Sequence, residues 1–246
     1  MPRILKILQE VGGVGKSIIV RGIAEAVPDA PVFEIESTPR ILEYDFDGQE
    51  PKRVTHFPVR ADRASIDATG GQAARQEFDA VINAMIAAQL PTIVDVGANS
   101  ASSLSASFDQ ELVAGFTRAG VELGVLVVLT ADPAALTEGA KLLTAAKHWA
   151  TARFAVENRL RGIIDPGLLA RVTDGVPVTT LAKWEFEPRT IGFLQATGLH
   201  AVPQLTSADF EKEFGFNEAR RMTNDLKAFR LAVMQAVLPA ATWLAS

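Results

Sequence analysis

The sequence predicts an α/β fold: a single three-layer domain whose mostly parallel sheet is covered by helices on both faces. Two observations support this. Short apolar runs alternate with amphipathic helical segments along the 246-residue chain, a pattern typical of parallel strands joined by helical crossovers. A glycine-rich stretch, "EVGGVGKS" at 10–17, stands between the first apolar run and the first helical segment, where anion-binding loops are commonly found.

The predicted elements follow from apolar spacing and from Gly and Pro boundaries. Strands are predicted at 3–9, 31–37, 53–59 (a pairing or edge strand), 92–96, 124–130, 152–158 and 177–183. Helices are predicted at 16–27, 73–90, 107–119, 132–149 and 188–198, with Asp132 as an N-cap before Pro133. A loop of small residues is expected after the strand at 92–96.

The segment from 207 onward predicts one long helix, and we divide the chain into a nucleotide-binding domain at 1–206 and a helical extension at 207–246. Its apolar stripe is formed by Ala219, Met222, Leu226, Phe229, Val233 and Val237. Such a helix could contact a membrane or a partner. Its polar face is mixed in sign rather than basic, which favours packing on the parent domain.

Composition excludes several classes of function. The chain has no cysteine, which excludes disulfides, thiolate zinc sites and cysteine nucleophiles. A net charge of −5 disfavours extended nucleic-acid or membrane binding by charge alone. We find neither a secretory signal nor a run of about 20 apolar residues that would span a bilayer, so the expected location is the cytoplasm.

The glycine loop is the first candidate site. Gly12, Gly13 and Gly15 would let backbone N–H groups converge on phosphate oxygens. Lys16 would carry a positive charge to the β- and γ-phosphates, and the Ser17 hydroxyl would bind Mg²⁺. The alternative is a tight strand-to-helix turn in which the glycines merely fit.

Two further candidates end other predicted strands, and ligands of such folds bind at the carboxyl ends of the strands. Asp95 could hold Mg²⁺ through a water, or it could cap a loop or helix. Asn158 has a side-chain amide that matches a purine edge by donor and acceptor together, or it could be a simple turn residue.

The segments "LQEVGGVGKSIIV", "IESTP", "IVDVGANS" and "VEN", in this order, resemble the ParA/MinD family of deviant Walker-A P-loop ATPases (SIMIBI class). More narrowly, the chain resembles the ParA-like, TraL-type proteins of plasmid conjugal transfer. The resemblance implies binding of ATP or ADP with Mg²⁺ and a homodimer with nucleotide at its interface. It also implies a protein partner from a transfer or partition system that stimulates slow hydrolysis.

The resemblance also implies roles for individual residues. The nucleotide would be bound by Gly12, Gly13, Val14, Gly15, Lys16, Ser17, Ile18, Asn158 and Arg159. Ser17 and Asp95 would hold Mg²⁺, the latter through water, and Lys16 and Asp95 would serve catalysis. The family position that orients the attacking water falls on Thr38 when the chains are aligned on Pro39. A shift of two residues would place Glu34 and Glu36 there but abandons that proline.

Three positions depart from the family. Glu10 replaces the first loop glycine, Val11 replaces the signature lysine, and Thr38 replaces the catalytic aspartate. Loss of a cation that contacts phosphate costs on the order of 10²- to 10³-fold in rate at comparable sites. Glu10 opposes phosphate binding unless it faces solvent or pairs with a cation such as Arg40. The sequence therefore predicts a nucleotide-binding protein with weak or absent hydrolysis.

Two other functions stay open. A pseudo-ATPase adaptor would keep the fold only to bind a partner. A small-molecule P-loop kinase is disfavoured because we find no arginine-rich lid segment.

Overall fold

The chain forms one sheet in which every neighbouring pair of strands is parallel. The computed structural model describes residues 1–41, 53–59, 72–186 and 188–246. Over these ranges the strands are β1 (Arg3–Leu8), β2 (Val32–Glu36), β3 (Val54–Pro58), β4 (Thr92–Val96), β5 (Glu122–Leu129), β6 (Ala152–Asn158) and β7 (Val178–Leu181). Their spatial order is β3-β2-β4-β1-β5-β6-β7. The predicted α/β class is confirmed, and the strand expected at 53–59 is the edge strand β3.

Helices cover both faces of this sheet. They are α1 (Lys16–Ala26), α2 (Gln72–Ile86), α3 (Ala101–Ala106), α4 (Gln110–Arg118), α5 (Pro133–Ala146), α6 (Pro166–Thr173), α7 (Pro188–Thr197), α8 (Ala208–Phe214) and α9 (Phe216–Ala245). Alternate β1 residues point to opposite faces: Ile4 and Leu8 enter one buried apolar cluster, and Leu5 and Ile7 enter the other. The central strand is therefore buried on both sides, as parallel sheets require.

Three elements differ from the prediction. The loop of small residues after β4 contains the short helix α3. The helix expected at 207–238 is interrupted at Gly215, whose φ of 73° ends α8 before α9 begins and continues to Ala245. Helix α6, which we did not predict, begins after Asp165, whose side chain accepts a hydrogen bond from the backbone N–H of Leu168.

Helix α9 packs against α1 and the sheet, and its predicted apolar stripe is buried. A Cβ at Gly22 of α1 would lie 2.6 Å from a methyl of Val233, so the absence of a side chain at position 22 allows this close approach. A Cβ at Gly124 of β5 would likewise overlap the ring of Trp243. Within the described ranges, α9 is also the one helix long and apolar enough to cross a membrane by length and composition. The domain boundary at 206/207 stays a prediction.

A lysine of β1 is buried in the apolar core on one face of the sheet. Lys6 of β1 is 1% exposed, and its Nζ lies 3.4 Å from the ring centroid of Phe108 and 3.5 Å from that of Trp149. Nζ has no hydrogen-bond partner among the described residues. Because burial penalises the charged amine, the pKa of Lys6 is lowered well below its ordinary value.

Candidate functional site

The glycine loop connects β1 to α1 and follows a path that requires glycine at two positions. Gly13 and Gly15 have φ values of 71° and 85°, in the left-handed region that side chains disfavour. A Cβ at Gly15 would also overlap Nδ2 of Asn158. Helix α1 begins at Lys16 with no side-chain cap and no acidic residue in its first turn, which leaves its amino terminus suited to an anion.

Lys16 and Asp95 lie together at the foot of this loop. Lys16 Nζ donates a hydrogen bond to Asp95 Oδ1, and the two side chains are 12% and 7% exposed. Asp95 reaches this place because β4 lies beside β1, with Asp95 opposite Ile7. A cation and a carboxylate are thus held next to the helix start, where they neutralise each other.

Asn158 joins the end of β6 to the loop. Its Nδ2 donates to the carbonyl oxygen of Val14 over 2.9 Å, and its Oδ1 accepts a hydrogen bond from the N–H of Leu160 over 3.3 Å. Both ends of the buried amide therefore make hydrogen bonds within the chain, which leaves one N–H of Nδ2 and one lone pair of Oδ1 for a further partner. Arg159 next to it pairs with Glu157, its Nη2 lying 2.9 Å from Oε2.

A cleft of about 380 Å³ opens beside the loop. Ile18, a predicted binding residue, lines it together with Gly15 and Asn158. The opposite side is lined by apolar and aromatic residues that sequence reasoning missed: Leu181, Trp184, Phe186 and Phe229. The available signal was "LAKWEF", which places two aromatic residues just after β7, at the same edge of the sheet.

The carboxylate of Glu10 is held within the chain by a backbone amide. Its Oε2 accepts a hydrogen bond of 2.9 Å from the N–H of Ser102, at the start of α3. Gln9 Oε1 accepts the N–H groups of Glu10 and Val11 over 2.8 and 3.2 Å. The first half of the loop is therefore held by internal hydrogen bonds. Arg40, a cation that could have neutralised Glu10, pairs instead with Glu36.

Glu34 of β2 lies beside Asp95 in the sheet, whereas Thr38 lies outside the strand. Glu34 stands opposite Asp95 in the strand register, whereas Thr38 is exposed beyond the end of β2. Glu34 Oε1 accepts the N–H of Arg40 over 2.7 Å, and Oε2 has no partner among the described residues. Burial raises the pKa of Glu34, although the bond from Arg40 opposes this rise. The catalytic assignment of Thr38 stays a prediction.

The residues at the loop fit a magnesium ion. Mg²⁺ is commonly held by one or two protein ligands together with phosphate oxygens and waters. Asp95 supplies one carboxylate, and Ser17 supplies a hydroxyl in the first turn of α1. No group of three or more His, Cys, Asp or Glu that could form an all-protein metal site occurs in the described part of the chain.

Comparisons with known proteins gave structural similarities only. No protein-family model and no curated protein matches the chain. The MinD cell division protein of Aquifex aeolicus is 12% identical, with 92% of this chain and 97% of that chain covered and a TM-score of 0.45. Apo McdA of Cyanothece is 11% identical, with 93% and 99% covered and a TM-score of 0.48.

A plasmid partition protein of Borrelia burgdorferi is 12% identical, with 93% and 97% covered and a TM-score of 0.42. At such identities and scores, these similarities assign neither a family nor a function to the chain. The class that the fold and the site define is an α/β protein with a parallel sheet and a glycine loop at the carboxyl edge of its strands.

Proposed function

We propose that this chain is a ParA/MinD-like protein that binds ATP or ADP with Mg²⁺ and acts in plasmid partition or conjugal transfer. One observation carries the nucleotide-binding part. Lys16 and Asp95 meet at the start of α1, beside a loop whose Gly13 and Gly15 have left-handed φ values. A cation and a carboxylate beside a glycine loop and a helix start would suit a magnesium–phosphate ligand.

The nucleotide would lie across the loop and the neighbouring cleft. Backbone N–H groups from 12 to 17 would bind its phosphates, and Lys16 would leave Asp95 to contact the β- and γ-phosphates. Mg²⁺, held by Ser17 and by Asp95 through water, would neutralise phosphate charge. The base would enter the apolar cleft beside Ile18 and Asn158, whose volume of about 380 Å³ accommodates a purine. Arg159, the next residue in the chain, is not part of the lining of this cleft and would contact the nucleotide from outside it.

Hydrolysis would be weak or absent. Phosphoryl transfer depends on neutralised charge and on a positioned water. Val11 provides no charge, and Thr38 is an exposed hydroxyl that accepts a proton poorly compared with a carboxylate. A carboxylate in the water-orienting role would have to come from Glu36, the last residue of β2, or from Glu34 in the middle of that strand.

The cellular part of the proposal rests on the sequence resemblance. The chain would work in the cytoplasm as a homodimer with a protein partner of a transfer or partition system. The nucleotide-binding domain would comprise 1–206, with 207–246 as an extension packed on it.

A second function, a pseudo-ATPase adaptor, is favoured by one observation. The site is satisfied internally, because Lys16 pairs with Asp95, Gln9 holds the first loop amides and Asn158 bonds to Val14. An adaptor could keep this arrangement permanently and use the fold only for its partner.

Calorimetric titration with MgATP and MgADP, run beside an ATPase assay, separates the two. The variants are Lys16→Ala and, as a matched control, Lys141→Ala, which removes an exposed lysine of α5 paired with Glu138. A nucleotide-binding protein should lose binding in Lys16→Ala and keep it in the control. Absence of binding to the wild type at millimolar MgATP would overturn the proposed function and leave the adaptor.

Hydrolysis is tested by restoring the family residues in Glu10→Gly, Val11→Lys, Thr38→Asp. Turnover that appears only in this triple variant would support a degenerate site. Equal inactivity of both proteins would refute the alignment of these positions.

A further inference from the structure

An arginine that the proposed function does not use lies at the mouth of the glycine loop. Arg161 ends the short 3₁₀ turn Arg159–Arg161 that follows β6. Its Nη2 lies 3.5 Å from the point where a Cβ of Gly13 would stand. Its side chain is 48% exposed, so the guanidinium is in contact with both the loop and solvent.

Two connections hold this arginine in place. The side-chain amide of Asn158 ties the turn to the loop, through its bonds to Leu160 and Val14. Arg161 Nη1 also donates to Asp132 Oδ2 over 3.1 Å. Asp132 is itself fixed, because its Oδ1 accepts the N–H groups of Ala134 and Ala135 at the start of α5. The turn is therefore fixed through Asn158 and the guanidinium through Asp132.

A phosphate bound at the loop could contact a second cation besides Lys16. Lys16 is the one cationic residue in the stretch 9–17, and it is already paired with Asp95. Arg159 is neutralised by Glu157. The pair between Arg161 and Asp132 is partly exposed, and ion pairs that are open to solvent contribute little to stability. A polyphosphate can therefore compete with Asp132 for this guanidinium, whose planar donors suit phosphate oxygens.

We propose that Arg161 binds the phosphate chain of the nucleotide held on its own loop, and that it favours di- and triphosphates over the uncharged nucleoside. This inference rests on the proposed nucleotide binding. It adds a residue of the turn after β6 to the phosphate-binding residues of the loop and of α1.

The test is titration of Arg161→Ala, Arg161→Lys and a control with MgATP, MgADP and adenosine. Arg118→Ala is the control, because α4 ends at this exposed arginine just before β5 begins, at the opposite edge of the sheet. Arg161→Ala should weaken MgATP and MgADP binding about 10- to 100-fold, the usual effect of losing a charge-assisted hydrogen bond. Adenosine binding and the control should match the wild type, and Arg161→Lys should fall between the two.

Equal MgATP affinity in wild type and Arg161→Ala would overturn this inference and leave the proposed function intact. Equal weakening of MgATP and adenosine would also overturn it, because it would indicate a structural role in the turn. If the wild type binds no nucleotide, both proposals fall together. Thermal unfolding of each variant reports folding, and Arg161→Gln replaces Arg161→Ala if the alanine variant unfolds.

Discussion

Replacement of Lys6 by methionine tests whether a buried amine is uncharged in the folded protein. Methionine has a similar unbranched shape, and its sulfur makes favourable contacts with aromatic rings, here Phe108 and Trp149. Two effects compete in the wild type. Two ring faces would stabilise a desolvated cation by about 2 kcal/mol or more each, whereas removing a charge from water costs several kcal/mol even after relaxation. Because Nζ has no hydrogen-bond partner within the described residues, we expect the desolvation cost to dominate.

The direction of the pKa shift determines how the free energy of unfolding changes with pH. The pKa of Lys6 is lower in the folded state than its ordinary value, so between the two values the unfolded state binds more protons. The free energy of unfolding of the wild type should therefore rise with pH, by up to about 1.4 kcal/mol per pH unit from this group. Methionine does not titrate. The stability advantage of Lys6→Met should grow by that amount per unit as the pH falls, until the folded-state pKa is reached.

Urea unfolding at pH 9, 8 and 7 measures this difference. Lys141→Met is the control, because it replaces a lysine by methionine at a side chain that is 66% exposed. If the difference between Lys6→Met and the wild type were constant across this range, Lys6 would hold its proton between the rings, and our reasoning about desolvation would be refuted.

Three glycine substitutions test the close contacts. Gly15→Ala should abolish detectable MgATP binding, because it strains the loop and pushes Asn158 away; titration with retained affinity would contradict the loop geometry. Gly124→Ala should lower the free energy of unfolding by about 1–3 kcal/mol, the usual cost of overpacking, because its methyl group overlaps the Trp243 ring. Gly192→Ala in α7 meets nothing within 4 Å and should instead stabilise the protein by about 0.5–1 kcal/mol. Urea unfolding compares the two, and an equal effect of both would refute the packing argument.

The local parts of the fold could be predicted because they are encoded locally. Mostly apolar runs form the strands, which are four to eight residues long, and parallel pairing then brings the ends of β1 and β4 to one edge. Lys16 and Asp95 were therefore both predicted for the same site. Helix α3 was missed because "ASSLSA" is short and mostly small and polar, which leaves almost no helical apolar spacing.

The wall of the cleft could not be predicted, because it is assembled from distant parts of the chain. Phe229 belongs to α9, yet its ring lies 5.8 Å from that of Trp184 and 4.9 Å from that of Phe186 after β7. Nothing in the spacing of "LAKWEF" states which helix will cover it. The hydrogen bond from Asn158 to Val14 is equally non-local, since it joins the end of β6 to the loop after β1.

The close approach of α9 to the rest of the protein has a consequence for any membrane role of that helix. The two positions that accept its side chains without room for a Cβ, Gly22 and Gly124, lie on different elements. If α9 left the domain to enter a bilayer, it would expose the apolar side of α1 and the part of β5 around Gly124 together. Gly22 and Gly124 therefore indicate, from residues outside α9, that this helix packs on the domain. In a related protein whose terminal helix enters a membrane, both positions would be free to carry larger residues.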